Sequence, residues 1–454
     1  MNPPDPSTSP IEQPTRPITQ RTRGLARVRG VLADTKPLRT PAYRRLWLAA
    51  IVTTIGSQLT VVAVPYQLFH LTDSSAWVGL TGLFGLVPLI VFGLWGGAIA
   101  DAVDRRTLLL VTVTGIACTS LLLFVTAATG LGGVWLVLSL FALQTAFIAI
   151  DQPTRSAVLP RLLPSEQLPA ANALTMTVFQ TGAVAGPLLA GGLIPLLGLP
   201  TLYLIDAVAL LATLWASWRL PHMPQEQATA KRPRAGLREI AAGFRYAAMH
   251  KILLVSFLID VVAMGFGMPR AVFPELAQVR FAAPFGSDFA LGALYAAIPI
   301  GMVIAGLFSG WLSRVSRQGV AVAASICVWG IGVALFGVTG SLFLAVAFLA
   351  IAGAGDLVSS VYRSSMLQSV ATDEMRGRMQ GVFIVVVAGG PRLADMWHGA
   401  AADWIGPGVA ATVGGIAVVV GAAAVLAAFP AFWRFRVEPG QQDSAQKDSP
   451  QRDR

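Results

Sequence analysis

From residue 46 to residue 433 the chain alternates between long apolar runs and short polar breaks. A helix that crosses about 30 Å of hydrocarbon needs about 20 consecutive apolar residues. Runs of that kind lie at 46–70, 77–100, 107–129, 133–152, 172–195, 200–219, 251–273, 288–312, 319–338, 341–362, 379–402 and 406–433, numbered here as spans 1 to 12. They predict an all-α membrane protein of twelve transmembrane helices in two six-helix bundles. The longest polar break, 220–250, follows span 6. It sets the expected organisation: an N-terminal tail over 1–42, a first bundle over 43–219, a central loop over 220–250, a second bundle over 251–433 and a C-terminal tail over 434–454. Within the loop, residues 237–248 (LREIAAGFRYAA) predict an amphipathic helix on the membrane surface.

Charge gives this pattern a direction. Of 33 Lys and Arg residues, 30 fall in the tails and in every second loop, leaving Arg270, Arg280 and Arg392 on the other side. Cytoplasmic flanks are the basic ones, which predicts both termini in the cytoplasm. The net charge of +10 therefore reads as loop charge beside a lipid bilayer, and no nucleic-acid partner is expected. Mean hydropathy is +0.66 and charged residues make up 12% of the chain, about half the usual soluble share. Cys118 and Cys327 lie inside apolar runs, so no disulfide framework is implied. No signal peptide is expected ahead of span 1. The chain has no GxxxxGK[ST] loop, no HExxH and no Cys/His cluster, and His70, His222, His250 and His398 are scattered. ATP-driven transport, a metal, a cofactor and an enzymatic role are not expected.

The halves repeat. Gly93-x3-Gly97 recurs as Gly306-x3-Gly310, and Arg155-Ser156-x2-Leu159 recurs as Arg363-Ser364-x2-Leu367. Val178-Phe179-x6-Gly186-Pro187-x-Leu189-Ala190 recurs as Val382-Phe383-x6-Gly390-Pro391-x-Leu393-Ala394. Parallel repeats of six spans suggest two bundles around a midplane site that rock for alternating access.

After span 2 comes Gly97-Ala-Ile-Ala-Asp101-Ala-Val-Asp104-Arg105-Arg106. This resembles the motif between helices 2 and 3 of major facilitator superfamily transporters. It departs from that motif at Ala102, where a basic residue is usual, and at Asp104, where Gly is usual. The resemblance implies a conformational latch of Gly97, Asp101, Arg105, Arg106 and Asp151. Asp101 would meet the start of helix 11 near Arg376 and Arg378, and Arg105 would pair with Asp151. Span 5 carries Gly182-x3-Gly186-Pro187-x3-Gly191-Gly192, similar to the motif of proton-driven exporters in this superfamily. Glycines there permit close packing, and Pro187 removes a backbone donor. A narrower resemblance rests on Arg270-Ala-Val-Phe-Pro274-Glu-Leu-Ala277, Leu294-Tyr-Ala-Ala-Ile-Pro299, Met366-Leu-Gln368 and Gly377-Arg-Met-Gln-Gly381. These runs look like the enterobactin exporter family, whose wider branch includes macrolide and multidrug efflux proteins.

An ionised group inside the membrane costs about 2.5–3.5 kcal/mol on insertion scales, so it is a functional candidate by default. Asp260 falls about nine residues into span 7 and Asp356 in the inner part of span 10. By the resemblance, spans 1, 4, 7 and 10 line the cavity, so both can face cargo or carry protons. Asp260 is the first choice for proton coupling. Asp206 in span 6 reads mainly as packing. Arg392 and Asp395, three residues apart on span 11, read as a mutually neutralising pair. Arg270 either attracts an anionic cargo or snorkels to the interface. Gln58, Gln67 and Gln144 either bind polar cargo or join helices. The expected function is proton-coupled export of a siderophore or similar small amphiphile across the bacterial cytoplasmic membrane, by a monomer. The alternatives are a multidrug or macrolide-type antibiotic efflux pump and, more remotely, a transport-inactive receptor or sensor.

Overall fold

The computed structural model describes residues 34–221, 223, 237–370 and 372–435. Within the helices, only the backbone is described at 94, 96–98, 100–102, 237–241, 244, 313, 373–374 and 376–385. The basic cluster at 231–234 and both tails beyond these limits lie outside the described residues.

All twelve spans are helices. They run Pro41–Thr72, Ser75–Ala102, Arg105–Thr129, Val134–Leu162, Leu168–Leu197 and Leu199–Trp218 in the first half. In the second half they run Lys251–Gly267, Ser287–Leu307, Gln318–Val338, Leu342–Val370, Asp373–Ile405 and Pro407–Ala428. Among the described residues, eleven helices are long and apolar enough to cross a membrane; span 11 is long enough but more polar. The surface helix is Leu237–Met249. Its Ala247 packs with Leu253, Phe257, Leu367 and Val386, which seats it on spans 7, 10 and 11.

Local chemistry sets the ends. The Ser74 hydroxyl caps span 2 by accepting from the Ala76 amide, and the Asp104 carboxylate caps span 3 by accepting from the Thr107 amide at 2.9 Å. Span 3 stops at Gly130, whose φ of +66° is the left-handed conformation that glycine adopts at no steric cost. Span 7 departs from the sequence expectation. Its helix stops at Gly267, a 3₁₀ turn follows at Arg270–Val272, and a short helix, Phe273–Val279, completes the crossing. Pro269 lacks the amide a continuing helix needs and holds Met268 in an extended conformation. Arg270 therefore sits in a break, not on a helix. Span 12 likewise ends at Ala428 ahead of a 3₁₀ turn at Pro430–Phe432.

The packing repeats with a period of six. Spans 2 and 4, 3 and 6, 3 and 4, 1 and 6, and 1 and 5 pack together in the first half. Their counterparts six spans on, 8 and 10, 9 and 12, 9 and 10, 7 and 12, and 7 and 11, pack together in the second. Between the halves, the extensive contacts are span 2 with span 11 and span 5 with span 8. We call the end where the chain enters span 1 and leaves span 12 the tail end, and the opposite end the far end.

Candidate functional site

The second half carries a cluster of charges. Asp260 of span 7 is fully buried, and so, nearly, is Arg363 of span 10; the two form an ion pair. Arg363 also donates from Nε to the Ser359 hydroxyl at 3.1 Å and from Nη2 to the Ser360 hydroxyl at 3.4 Å. Asp356 lies one turn before Ser360, partly exposed, within electrostatic reach of Arg363, Asp260 and Arg270. From sequence, Arg363 was assigned to the loop after span 10. It instead lies inside the helix Leu342–Val370, which runs past the apolar stretch and carries the guanidinium to Asp260. Asp260 and Asp356 are thus brought together, with an arginine between them that hydropathy counting passed over.

Arg270 and Arg392 meet differently. The 3₁₀ turn that bears Arg270 packs on spans 2 and 11, and the charge of Arg270 reaches Asp356, Asp395 and Arg392. It turns into the protein and does not snorkel. Arg392 forms no ion pair with Asp395. Its guanidinium lies 5.4 Å from the ring centroid of Phe141 on span 4 and against Gly85 of span 2. The three-residue spacing allowed a pair, but the glycine opening across the interface gave the long side chain another place to lie. Asp395 is buried with Oδ1 unpartnered.

In the first half the polar groups join helices. Asp206 is buried and accepts from Thr60 of span 1 and Ser120 of span 3, each at 2.8 Å. Gln144 donates to the same Ser120 hydroxyl at 2.8 Å, which engages its amide nitrogen in a contact between spans 3 and 4. Gln67 accepts from Tyr203 at 2.8 Å. Gln58 is partly exposed, and its Cβ presses on Gly186.

The latch residues lie at the tail end. The side chains of Gly97, Asp101, Arg376 and Arg378 are outside the described residues. Arg105 donates to the Ala157 carbonyl at 2.8 Å, and Arg106 to the Trp218 carbonyl at 2.7 Å. The expected Arg105–Asp151 pair is not formed. Asp151 instead pairs with Arg155, four residues on along its own helix, and accepts from Thr112 at 3.0 Å. A partner one turn away needs no second helix to bring it close. Asp104, in the place where the motif has Gly, caps span 3 and also accepts from the Met223 amide at 3.2 Å.

The span 5 motif splits in two. A Cβ at Gly182 or Gly186 would run into Thr54 or Gln58 of span 1, within the same half. Gly191 instead meets Gly292 of span 8 backbone to backbone, and Gly292 also lies against the Pro187 carbonyl. Gly192 faces open space. A second seam joins spans 2 and 11. Gly79 packs on Asp395 and Gly399, Gly82 on Arg392, and Leu86 near Gly389. At its far end, the Ser74 hydroxyl donates to Asp403 at 2.6 Å, the Ala76 amide donates to Asp403 at 3.3 Å, and the Ser75 hydroxyl donates to Glu275 at 2.5 Å. Toward the tail end, a Cβ added at Gly93 would meet nothing within 4 Å, and one at Gly306 would meet Leu357 of its own half. Ser360, Val361, Ser364, Ser365 and Gln368 line a recess on span 10 there. Among the described residues, the hydrogen bonds that join the halves lie at the far end.

A model of the family described as transmembrane secretion effector, MFS_3, matches residues 33–451. The chain belongs to that family. It is a major facilitator transporter. The enterobactin exporter EntS of Shigella boydii serotype 18 is 28% identical over 415 residues, covering 88% of this chain and 95% of its own length. EntS of Escherichia coli O139:H28 matches with the same identity and coverage. Among solved structures, the nucleoside transporter NupG superposes with a TM-score of 0.67 at 16% identity, over 86% of this chain and 99% of its own. A bacterial homologue of the lysosomal transporter Spinster, solved inward-facing and unoccupied, gives 0.64 at 16%, over 89% of this chain and 100% of its own. At these identities the structures establish the fold alone.

Proposed function

We propose that the protein exports a siderophore, or a similar small amphiphile, across the bacterial cytoplasmic membrane in exchange for protons. Its tails are cytoplasmic, it acts as a monomer, and its halves divide at the 220–250 loop. The observation that carries this reading is the pair of seams that hold the halves together at the far end, as a closed outer gate would. With the basic loops inside, that is the state in which an exporter loads cargo from the cytoplasm. The kinship with enterobactin exporters supports the cargo class.

In this scheme the seams are the outer gate, and the charges of the 2–3 loop with Asp151 form the inner latch. Asp260, Asp356 and Arg363 are the coupling centre. A proton taken up by Asp260 removes the charge that holds Arg363, freeing span 10 to move against span 7. The test is efflux from membrane vesicles under an imposed pH gradient, normalised to inserted protein. Asp260→Asn is expected to abolish gradient-driven export, and Asp260→Asn with Arg363→Gln, which leaves no buried charge unpaired, is expected to remain uncoupled. Wild-type efflux from the double variant sinks the coupling assignment. Cells lacking the protein are expected to retain siderophore when starved of iron; unchanged secretion sinks the cargo assignment and turns attention to antibiotics. Reporter fusions to the C-terminal tail are expected to be active only in the cytoplasm.

A further inference from the structure

Arg392 and Arg270 lack the partners that Arg363 and Arg280 possess. Arg363 has Asp260 and two hydroxyls, and Arg280 donates to the Gly337 carbonyl at 2.7 Å. Neither Arg392 nor Arg270 forms an ion pair or a side-chain hydrogen bond with any described residue, and both are partly exposed. A guanidinium offers five N–H donors, and leaving them unmade in a membrane interior is unfavourable. The charges of Asp395 and Arg270 act on Arg392 in opposite senses. The two aspartates within their reach, Asp356 and Asp395, pair with neither.

Their position is specific. The seam between spans 2 and 11 runs tailward from Ser74 and Asp403 through Gly82, which packs on the Arg392 carbonyl. About one turn further on, Leu86 lies near Gly389. Arg392 thus stands within the seam between the two halves. Its guanidinium is laid flat on Gly85 and beside Phe141, residues of the other half. Stacking on an aromatic ring uses the face of a guanidinium and leaves its edge donors free for a two-oxygen ligand. The 3₁₀ break after span 7 places Arg270 at the same junction, on spans 2 and 11.

We propose that Arg392 and Arg270, on the seam between spans 2 and 11, form a binding site for an organic oxyanion of the cargo, a carboxylate or phenolate. The site rests on the reading that the chain carries a small molecule through the opening between its halves. It also gives the cargo a hold on the gate. Separating span 11 from spans 2 and 4 removes Gly85 and Phe141 from the guanidinium, so the site is complete only while the far end is shut.

The test uses the full-length chain in lipid nanodiscs and two probes of nearly equal shape, the anion salicylate and the neutral salicylamide, measured by equilibrium dialysis. Wild type is expected to bind salicylate at least tenfold more tightly than salicylamide. Arg392→Gln and Arg270→Gln are each expected to lower salicylate affinity at least tenfold and leave salicylamide unchanged. Arg392→Lys is expected to fall between, because an ammonium keeps the charge but loses the fork. Equal wild-type affinity for both probes, or full anion preference in Arg392→Gln, overturns the site. Should the glutamine variants fail to insert, phenylglyoxal labelling of wild type decides. Salicylate must shield Arg392 and Arg270 but not Arg280, and the absence of shielding refutes the proposal. Siderophore secretion that is unaffected by deletion, with anion preference intact, removes the cargo reading and leaves this site standing.

Discussion

Arg155 and Arg363 occupy equivalent places in the repeat, near the tail ends of spans 4 and 10, yet they are neutralised in opposite ways. Arg155 takes its anion from Asp151, one turn back on its own helix. The corresponding residue before Arg363 is Ser359, which accepts a hydrogen bond but brings no charge. The anion comes instead from Asp260, on another helix. One exchange of Asp for Ser thus turns a pair internal to one helix into a bond between two. Arg155 is about one-third exposed, whereas both partners of the other pair are buried. The lesson concerns motion. An arginine served by its own helix can travel with it, whereas one served across helices ties them together.

The sharpest way to break the comparison is to remove the acids. Asp260→Asn removes the carboxylate that faces the buried Arg363 and is expected to cost about 3–5 kcal/mol. Asp151→Asn leaves Arg155 able to reach water and is expected to cost about 1 kcal/mol or less. Thermal unfolding of the detergent-purified protein reads both, and similar losses would show that the two sites are alike after all. Ser359→Asp tests the cause directly. It gives Arg363 the local anion that Arg155 has, so Asp260→Asn is expected to cost at least about 1 kcal/mol less in that background. An unchanged cost would mean that the side chain at 359 does not set the partner.

The glycines of span 5 extend the contrast to the gate. Gly191→Val pushes against the backbone of span 8, whereas Gly192→Val meets open space. With cysteines at 74 and 403, which face each other across the other seam, Gly191→Val is expected to lower cross-linking several-fold and Gly192→Val to leave it unchanged. Equal cross-linking would remove Gly191 from the gate. The smallest effect is expected at Asp206. This acid is held by two hydroxyls and no cation, so Asp206→Asn strands no charge and is expected to cost about 1 kcal/mol in the same unfolding assay.

Hydropathy made the twelve helices, the surface helix and the repeat legible, because each crossing must bury its own backbone polar groups. The partners of polar side chains were less legible. Asp260 was visible as an acid in an apolar run, but Arg363 was counted among loop charges, since its partner lies 103 positions away in sequence. The Arg392–Asp395 spacing was read by a helix-surface rule that ignores what a neighbouring helix offers, here Gly85 and Phe141. The reverse error occurred at Asp151, where a distant partner was expected and a local one, Arg155, is used. Gly191 and Gly192 were indistinguishable in the motif, because which glycine faces span 8 depends on how the halves lean.

The bond between Ser74 and Asp403 spans 329 positions. Span 2 begins with Ser74 as its own cap, but its second acceptor, Asp403, belongs to the last part of the chain to be made. At about 5–20 residues per second, that acceptor emerges roughly 15–65 s after the helix it finishes. Through this interval the first bundle sits in the bilayer with a helix start that relies on one serine and on water. A truncated product that ends before residue 403 never receives the second acceptor, and its Ala76 amide is left with the Ser74 hydroxyl.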